Sequence, residues 1–483
     1  MFWLLVILLP LMVGCTYRGV KDPEMVRSIN LEVDMASLAS CSELPSHPLT
    51  LEELVAIAIE SNLELMVKQQ DVAVQHEIAT GQKLQMLPSL LISSELSQRN
   101  NGPGSASASL IPSIPPAPPS VSSQRSVFRW DATVTWNLLD FGVSYFRYRQ
   151  EVNKTLIHAL EYRRQEQNII YDVAQAYWKA VAMRRTLDAA APLEEKITRH
   201  GELLEKYISR QLLPLIQGNK DRSRLFAMSG TIQGFQKDYD RAIYELKNKA
   251  GIAPAVDIQL FIPEVVDYEV PYGVDELAHY ALLNRPELYS GDFEEAVHLD
   301  EVRAAMLQLL PGVSLFGSEF YDRNIFLLNN NWLIAGIRAG WNLLSIPQHI
   351  QEADIAKARG KMTRLTRISL SMGVLSQVYL SWILYRDVKE EFQVSYQASL
   401  IDKELLEAAQ RENELGMIHD GELLGYEMAS LDSEVRVFKL YAELQSTLEQ
   451  LNNAIGIPLF LNTGGIHCAP VYATPLVRNC PAP

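Results

Sequence analysis

Residues 128–138 read FRWDATVTWNL. Phe128, Trp130, Ala132, Val134, Trp136 and Leu138 alternate with Arg129, Asp131, Thr133, Thr135 and Asn137. Strict period-two alternation is the pattern of a strand with one apolar face and one wetted face. Aromatic residues sit toward both ends of the apolar face, and a long, charged, helix-like sequence follows. Such a strand faces either a protein core or lipid.

Part of this stretch occurs twice. Trp136-Asn137-Leu138-Leu139 returns 205 residues later as Trp341-Asn342-Leu343-Leu344. The same offset aligns Leu246, Asn248, Gly251 and Ile252 with Leu451, Asn453, Gly456 and Ile457. Ahead of the strand the offset is 223. It aligns Leu84-Gln85-Met86-Leu87-Pro88 with Leu307-Gln308-Leu309-Leu310-Pro311, Glu53-Leu54 with Glu276-Leu277, and Leu63-Glu64-Leu65 with Pro286-Glu287-Leu288. Several segments agreeing at one offset indicate an internal duplication. The change from 223 to 205 places 18 extra residues between Pro88 and Trp136. The sequence there, RNNGPGSASASLIPSIPPAPPSVSSQ at 99–124, suits neither helix nor sheet ladder and reads as a long hairpin loop.

Each copy reads helix, strand, loop, strand, long helix, helix. Copy one predicts a helix over 49–87, strands over 89–97 and 127–138, and helices over 144–209 and 220–250. Copy two predicts a helix over 274–310, strands over 313–320 and 332–343, and helices over 348–415 and 421–454. In its second strand Leu333, Ala335, Ile337, Ala339, Trp341 and Leu343 form the apolar face, with Arg338 and Asn342 opposite. The domain order is then signal peptide 1–14, lipidated extended segment 15–48, repeat one 49–254, linker 255–273, repeat two 274–460 and tail 461–483. Leu365, Ile368, Met372, Leu375, Tyr379 and Trp382 follow the three-four spacing of a packed helix seam and are expected as a core stripe. A helix of about 65 residues extends about 100 Å, farther than a compact domain requires.

Of the 483 residues, 48% are hydrophobic and 21% charged, which predicts a folded chain. A net charge of −15 argues against wholesale nucleic-acid binding. The first residues, MFWLLVILLPLMVGC, hold an apolar run of about 14, too short for the roughly 20 that span a bilayer. Leu11-Met12-Val13-Gly14-Cys15 resembles a lipobox, which makes Cys15 the candidate lipidation site; an ordinary signal peptide is the alternative. Thr16 after the cysteine, in place of Asp, favours the outer membrane. Cys41, Cys468 and Cys480 remain. An exported chain allows Cys468–Cys480 to close a tail loop, or Cys41 to pair with either.

Four strands cannot close a barrel, but their lengths suit a membrane, where strands need about 9 to 11 residues. Phe128 and Trp136 lie about 26 Å apart on an extended strand, near the height of an apolar band once tilt is allowed. In lipid every backbone group must be paired, so other chains must complete the sheet. Three copies supply twelve strands in a closed cyclic symmetry.

From 49 to 460 the chain resembles the TolC-like outer-membrane efflux proteins. The likeness rests on the duplicated unit, the Leu87-Pro88-Ser89 lead-in to the first strand, and Trp136-Asn137-Leu138-Leu139-Asp140-Phe141-Gly142 at a strand exit. Further matches are Arg285-Pro286-Glu287-Leu288, the Gly416 turn with Leu423, Leu424 and Leu431, and Leu451-Asn452-Asn453-Ala454-Ile455-Gly456. Two stretches depart from the family pattern: the second strand exit at 341–347 lacks Asp-Gly, and the tip at 211–218 is unusually apolar. The resemblance implies a mainly helical chain with a membrane β-barrel. A homotrimer would form a 12-stranded barrel on a 12-helix tunnel, with a periplasmic adaptor and an inner-membrane pump of RND, ABC or MFS type docking below. Under that reading Phe128, Trp130, Val134, Trp136, Leu333, Ile337 and Trp341 face outer-membrane lipid. Arg129, Asp131, Thr133, Thr135 and Arg338 line a wet lumen, and Asp420 and Glu422 become acidic rings at the periplasmic gate. The bland alternative for these two acids is a solvated helix start.

The sequence holds no P-loop, G-x-S-x-G or H-E-x-x-H and no Cys/His cluster, so neither enzyme chemistry nor a metal or cofactor is expected. The rival to a duct is a structural or adhesive coiled-coil lipoprotein. It accounts for the anchor and the heptads, but not for amphipathic strand pairs placed alike in both copies.

Overall fold

The computed structural model describes residues 23–40, 47–107, 110, 118–265 and 269–456. The signal segment, Cys15, Cys41, the tail and both candidate disulfide residues, Cys468 and Cys480, lie outside the described residues, and with them the lipidation and pairing expectations. Within the segment expected to be extended, helix α1 (Pro23–Ser40) forms, with Glu24 in its first turn and an Arg27–Asp34 ion pair of 3.1 Å spanning two turns.

The helix expected over 49–87 is two, α2 (Leu51–Ser61) and α3 (Leu63–Leu84). Thr50 caps the first through a capping box, in which its backbone N–H donates to Glu53 at 2.9 Å. That bond holds the Glu53 carboxyl below its usual range. The break falls at Asn62, whose backbone is extended (φ −71°, ψ 115°). The helix expected over 274–310 breaks likewise into α6 (Val274–Asn284) and α7 (Pro286–Leu307), with Arg285 at φ −69°, ψ 119°. Here the cause is local: the proline ring disfavours helical backbone in the residue before it. Asn62 and Arg285 differ by the same 223 residues seen in the sequence.

Strands β1 (Ser89–Gln98) and β4 (Ser126–Asn137) flank the short hairpin β2 (Gly104–Ser105) and β3 (Ser120–Val121). β4 passes straight into α4 (Leu138–Ser209), without the gap expected between the strand ending at 138 and the helix starting at 144. Asn137 is the reason: its Oδ1 accepts from the amides of Leu139 (3.0 Å) and Asp140 (3.4 Å), capping the new helix at once. Gly142 therefore serves close packing, not a bend; a Cβ there would sit 2.5 Å from Leu307 Cδ2. α5 (Leu215–Lys249) follows. In the second half β5 (Gly312–Asp322) and β6 (Asn331–Gly340) lead through a 3₁₀ turn (Leu343–Ser345) to α8 (Ile346–Glu414) and α9 (Asp420–Ile455). β6 ends three residues earlier than predicted, so Trp341 lies beyond the sheet.

Contacts recur at the offsets found in the sequence. Trp136 Nε1 donates to Met86 O at 3.3 Å, and Trp341 Nε1 donates to Leu309 O at 3.2 Å. Gly251 (φ +70°) and Gly456 (φ +80°) end α5 and α9 in the left-handed conformation glycine favours. A Cβ at Gly251 would lie 3.1 Å from Ser61 O, and one at Gly456 3.2 Å from Asn284 O.

The chain divides into two compact units, each drawing on both halves of the sequence. The first comprises the described residues within 23–63, 169–270 and 383–450. Its core joins Ala190, Leu193 and Ile197 of α4 to Ile232 and Phe235 of α5 and to Leu424, Met428, Leu431 and Val435 of α9. Leu49 bonds in parallel to 259–261, and the Tyr177 hydroxyl donates to Phe261 O at 2.6 Å. The second unit comprises the described residues within 64–168, 271–382 and 451–456 and contains the sheet. Buried Arg285 donates to the Asn453 and Ala454 carbonyls (both 3.1 Å), to Gln377 (2.9 Å) and to Glu287 (3.0 Å). It thereby satisfies the orphan carbonyls at the end of α9. Arg164 meets the same Glu287 at 2.7 Å, and burial lowers its pKa against the pull of that carboxylate.

The stripe expected as core on α8 is not buried within the chain: Leu365, Ile368, Met372 and Tyr379 are exposed. The residues buried instead are Val374, Val378, Ser381, Tyr385, Val388, Phe392, Ser395 and Ser399, on alternating four-three spacing. Serines at the seam keep that stripe weakly apolar, and the larger side chains of the other stripe outweigh it in sequence. α8 also contains a stretch apolar enough to cross a membrane by length and composition, only 22% of it buried in the chain.

Arg285→Ala takes the donor from the buried Ala454 carbonyl and a partner from Glu287 and Gln377, while the Asn453 carbonyl keeps Arg164, and should lower stability by about 3 kcal/mol. Thermal unfolding of the detergent-solubilised protein measures this, and Arg285→Lys should recover only part of the loss.

Candidate functional site

The main sheet has the order β1-β4-β5-β6, all neighbours antiparallel. The register sets which side chains share a face, because directly paired residues point the same way. One face carries Leu90, Ile92 and Leu96 of β1, Phe128, Trp130, Ala132, Val134 and Trp136 of β4, Val313, Leu315 and Tyr321 of β5, and Leu333, Ala335, Ile337 and Ala339 of β6. The alternation read in 128–138 thus extends across four strands. Glu319, paired with Ala132 and Leu333, is the acid that breaks this face. Leu333 and Ile337 are 75% and 73% exposed, so no core within the chain covers them. Aromatics mark the ends: Trp130 stacks on Tyr321 (centroids 6.4 Å) and Phe128 meets Tyr321 edge-on (6.5 Å), while Trp136 lies at the other end of β4. Of the predicted apolar-face residues, Leu138 falls in the first turn of α4, and Trp341 and Leu343 lie beyond β6, where the chain has already turned toward α8.

The opposite face carries Ser93, Glu95, Arg129, Asp131, Thr133, Thr135, Ser314, Ser318, Asp322 and Arg338. Arg129 Nε donates to Asp322 Oδ2 at 2.9 Å, and Asp322, nearly buried, accepts from the Asn324 amide at 2.9 Å. Asn330 Nδ2 donates to the Asp322 carbonyl at 2.6 Å, so this cluster organises the β5–β6 loop. Ser93 Oγ and Thr133 Oγ1 both donate to the Asp131 carboxylate. This face also holds large apolar side chains that the sequence reading missed, with Leu91 and Ile334 in the row of Thr133 and Ser318. Phe320 stacks on Trp332 (5.5 Å, 13°), and Arg338 lies 5.2 Å above the Phe316 ring. Gly336 makes room for Phe316, to which a Cβ would come within 2.8 Å. β5 carried the missed signal, because Phe316 and Phe320 share its parity with Ser314 and Ser318.

β1 and β6 each have one neighbour, so each leaves a backbone edge unpaired by the described residues.

The turns of the first unit are the second candidate region. Between α4 and α5, Gln211 adopts φ +55°, and Leu212, Leu215 and Ile216 are exposed. Between α8 and α9, Gly416 takes φ +73°, and Asn413 Nδ2 donates to Ile418 O and to Asp420 Oδ1, both at 3.1 Å. Asp420 and Glu422 are exposed in the first turn of α9, where negative charge is favourable. One turn further, buried Glu427 accepts from Lys196 of α4. Among the described residues no cluster of His, Cys, Asp or Glu is arranged to hold a metal ion.

No protein-family model and no curated protein matches the sequence. Solved structures do match the fold. The outer-membrane channel OprN superposes with a TM-score of 0.67 at 16% identity, over 84% of this chain and 89% of its own. CusC, whose structures concern transmembrane channel formation, gives 0.67 at 14%, over 86% and 96%. The Campylobacter jejuni CmeC outer membrane channel gives 0.68 at 14%, over 84% and 85%. In fold, the chain is similar to these outer-membrane channels.

Arg129→Met removes the cation from a nearly buried Asp322. The β5–β6 loop should loosen, and chymotrypsin should cut after Phe326 several-fold faster, as read by mass spectrometry of the digest. Asp322→Asn keeps the contact to Asn324 and should have the smaller effect.

Proposed function

We propose that this chain is one third of an outer-membrane duct that passively passes substrates from an inner-membrane pump and a periplasmic adaptor to the exterior. One observation carries the reading: a register-aligned sheet, apolar on one side and carrying the charged side chains on the other, has both edges open among the described residues of a chain with the outer-membrane channel fold. A soluble protein would cover such an apolar face, whereas lipid covers it without further protein. Lipid also forbids the open edges. Joining β6 of one copy to β1 of the next satisfies them, and three copies close a ring of twelve strands.

In this assembly the face with Val134, Leu333 and Ile337 meets lipid. The face with Arg129, Asp131, Thr133, Thr135 and Arg338 lines the lumen, so Arg338 and the carboxylates would meet passing solute. The exposed stripe at Leu365, Ile368 and Met372 suits packing against helices of a neighbouring copy. Asp420 and Glu422 would be repeated three-fold near the closed end, where rings of carboxylates attract cations. Signal-directed export and lipidation of Cys15 complete the outer-membrane placement, and Cys468–Cys480 is the pairing favoured for the tail. The repeat boundaries, 49–254 and 274–460, are supported by the contacts that recur at the sequence offsets.

Val134→Arg places a charge in lipid at a cost of about 2–4 kcal/mol per copy near the midplane and should abolish assembly in the outer membrane. Thr133→Arg should assemble and change conductance. Fractionation of outer membranes and bilayer recordings read both, and equal tolerance of the two changes would reject the assignment of faces. Imaging of the extracted particle should show a hollow three-fold body; a solid monomeric stalk would reject the duct.

A further inference from the structure

One row of the polar face has a composition that lining a water-filled lumen does not require. Ser93, Asp131, Phe320 and Trp332 are consecutive partners across all four strands, so their side chains form a single band on one side of the sheet. At one end of the band the Asp131 carboxylate is fixed by two hydroxyl donors, Ser93 and Thr133. At the other, Phe320 and Trp332 stack with nearly parallel rings (13°), and Trp332 remains 38% exposed. The nearest cation on β4, Arg129, is bonded to Asp322, so its charge is already engaged. Glu95 lies two residues along β1 from Ser93 on the same face, adding a second carboxylate within reach of a large ligand. The other guanidinium of this face, Arg338, pairs with Ser314 at the far end of β5 and β6 and stacks on Phe316.

We propose that this row is a subsite for amphiphilic organic cations, with Asp131 receiving the charge and the Phe320–Trp332 pair receiving the apolar body. The inference rests on the duct reading, which turns this face toward the lumen. Aromatic faces and a carboxylate together favour a large, weakly hydrated cation, because ring quadrupole and charge act on the same ligand. A small hydrated cation gains nothing from the rings, and an anion is repelled by Asp131. A trimer presents three such rows around one lumen, so a solute leaving one row finds another at the same height. The substrate class implied is therefore lipophilic cations, in preference to anions of the same shape.

The test uses the purified full-length protein and two probes matched in size, tetraphenylphosphonium and tetraphenylborate. Binding is read by probe-selective electrodes, and channel activity separately in planar bilayers, where block is expressed relative to each variant's own salt conductance. The phosphonium should bind and block, and the borate should do neither. Asp131→Asn and Trp332→Leu should each weaken phosphonium binding about tenfold. Trp332→Phe should stay within about twofold, since it keeps a ring. Glu319→Gln, on the opposite face, should bind as the parent does. Equal binding of both probes, or phosphonium binding insensitive to Asp131 and Trp332, overturns the subsite while the conducting duct stands. Phosphonium binding with the expected variant pattern in a particle that images as a solid monomer keeps a cation site on this face and overturns the duct.

Discussion

A backbone N–H or C=O that is removed from water needs a partner, and that requirement governs this protein. Within the described chain β1 and β6 each leave one edge unpaired, and the face between them exposes leucine, isoleucine and tryptophan. In water such a sheet would be an aggregation template. In lipid the apolar face is satisfied, but the edges become intolerable unless another chain pairs with them. The same incompleteness recurs on α8, where the larger apolar stripe stays outward while a seam of valine, serine and aromatic residues is buried. Sheet and helix alike read as parts of an assembly.

The junction between strand and helix shows how one chain supports both. Asn137 caps α4 directly at the end of β4, so strand and helix join without a flexible loop. Trp136 and Trp341 brace the two strand ends by bonding the carbonyls of the segments that precede β1 and β5. Gly142 lets α4 approach Leu307, and Arg285 gathers the end of α9, Gln377 and Glu287 around one buried guanidinium. These contacts are short in range and mostly polar. They set direction, whereas the helix cores supply most of the apolar burial.

The polar face then acquires a chemistry of its own. Its charges are ordered: Arg129 is committed to Asp322 and the β5–β6 loop, and Asp131 is held by hydroxyls beside a stacked aromatic pair. Water alone would be content with serine and threonine there. The fold sets no substrate, and in the proposed assembly the pump would do most of the choosing. In that assembly a row of this composition would nonetheless bias what lingers in the lumen.

Much of this was legible in the residues. The alternation in 128–138, the two offsets of 223 and 205, and the leucine-rich helical stretches determined the type and order of the principal elements, because side-chain period and repetition are local properties of a sequence. The helix breaks were half legible: Pro286 announces one, while Asn62 carries no such mark. Three things awaited the tertiary structure. The strand ends did, since capping by Asn137 and the early turn after Gly340 depend on which amides lack partners. The buried stripe of α8 did, since size and polarity rank stripes differently from the space a neighbouring helix leaves. The Asp131–Phe320–Trp332 row did most of all. Its members lie up to 201 residues apart and become neighbours only when four strands fix one register. Cross-strand pairing is non-local, so no window of sequence contains it.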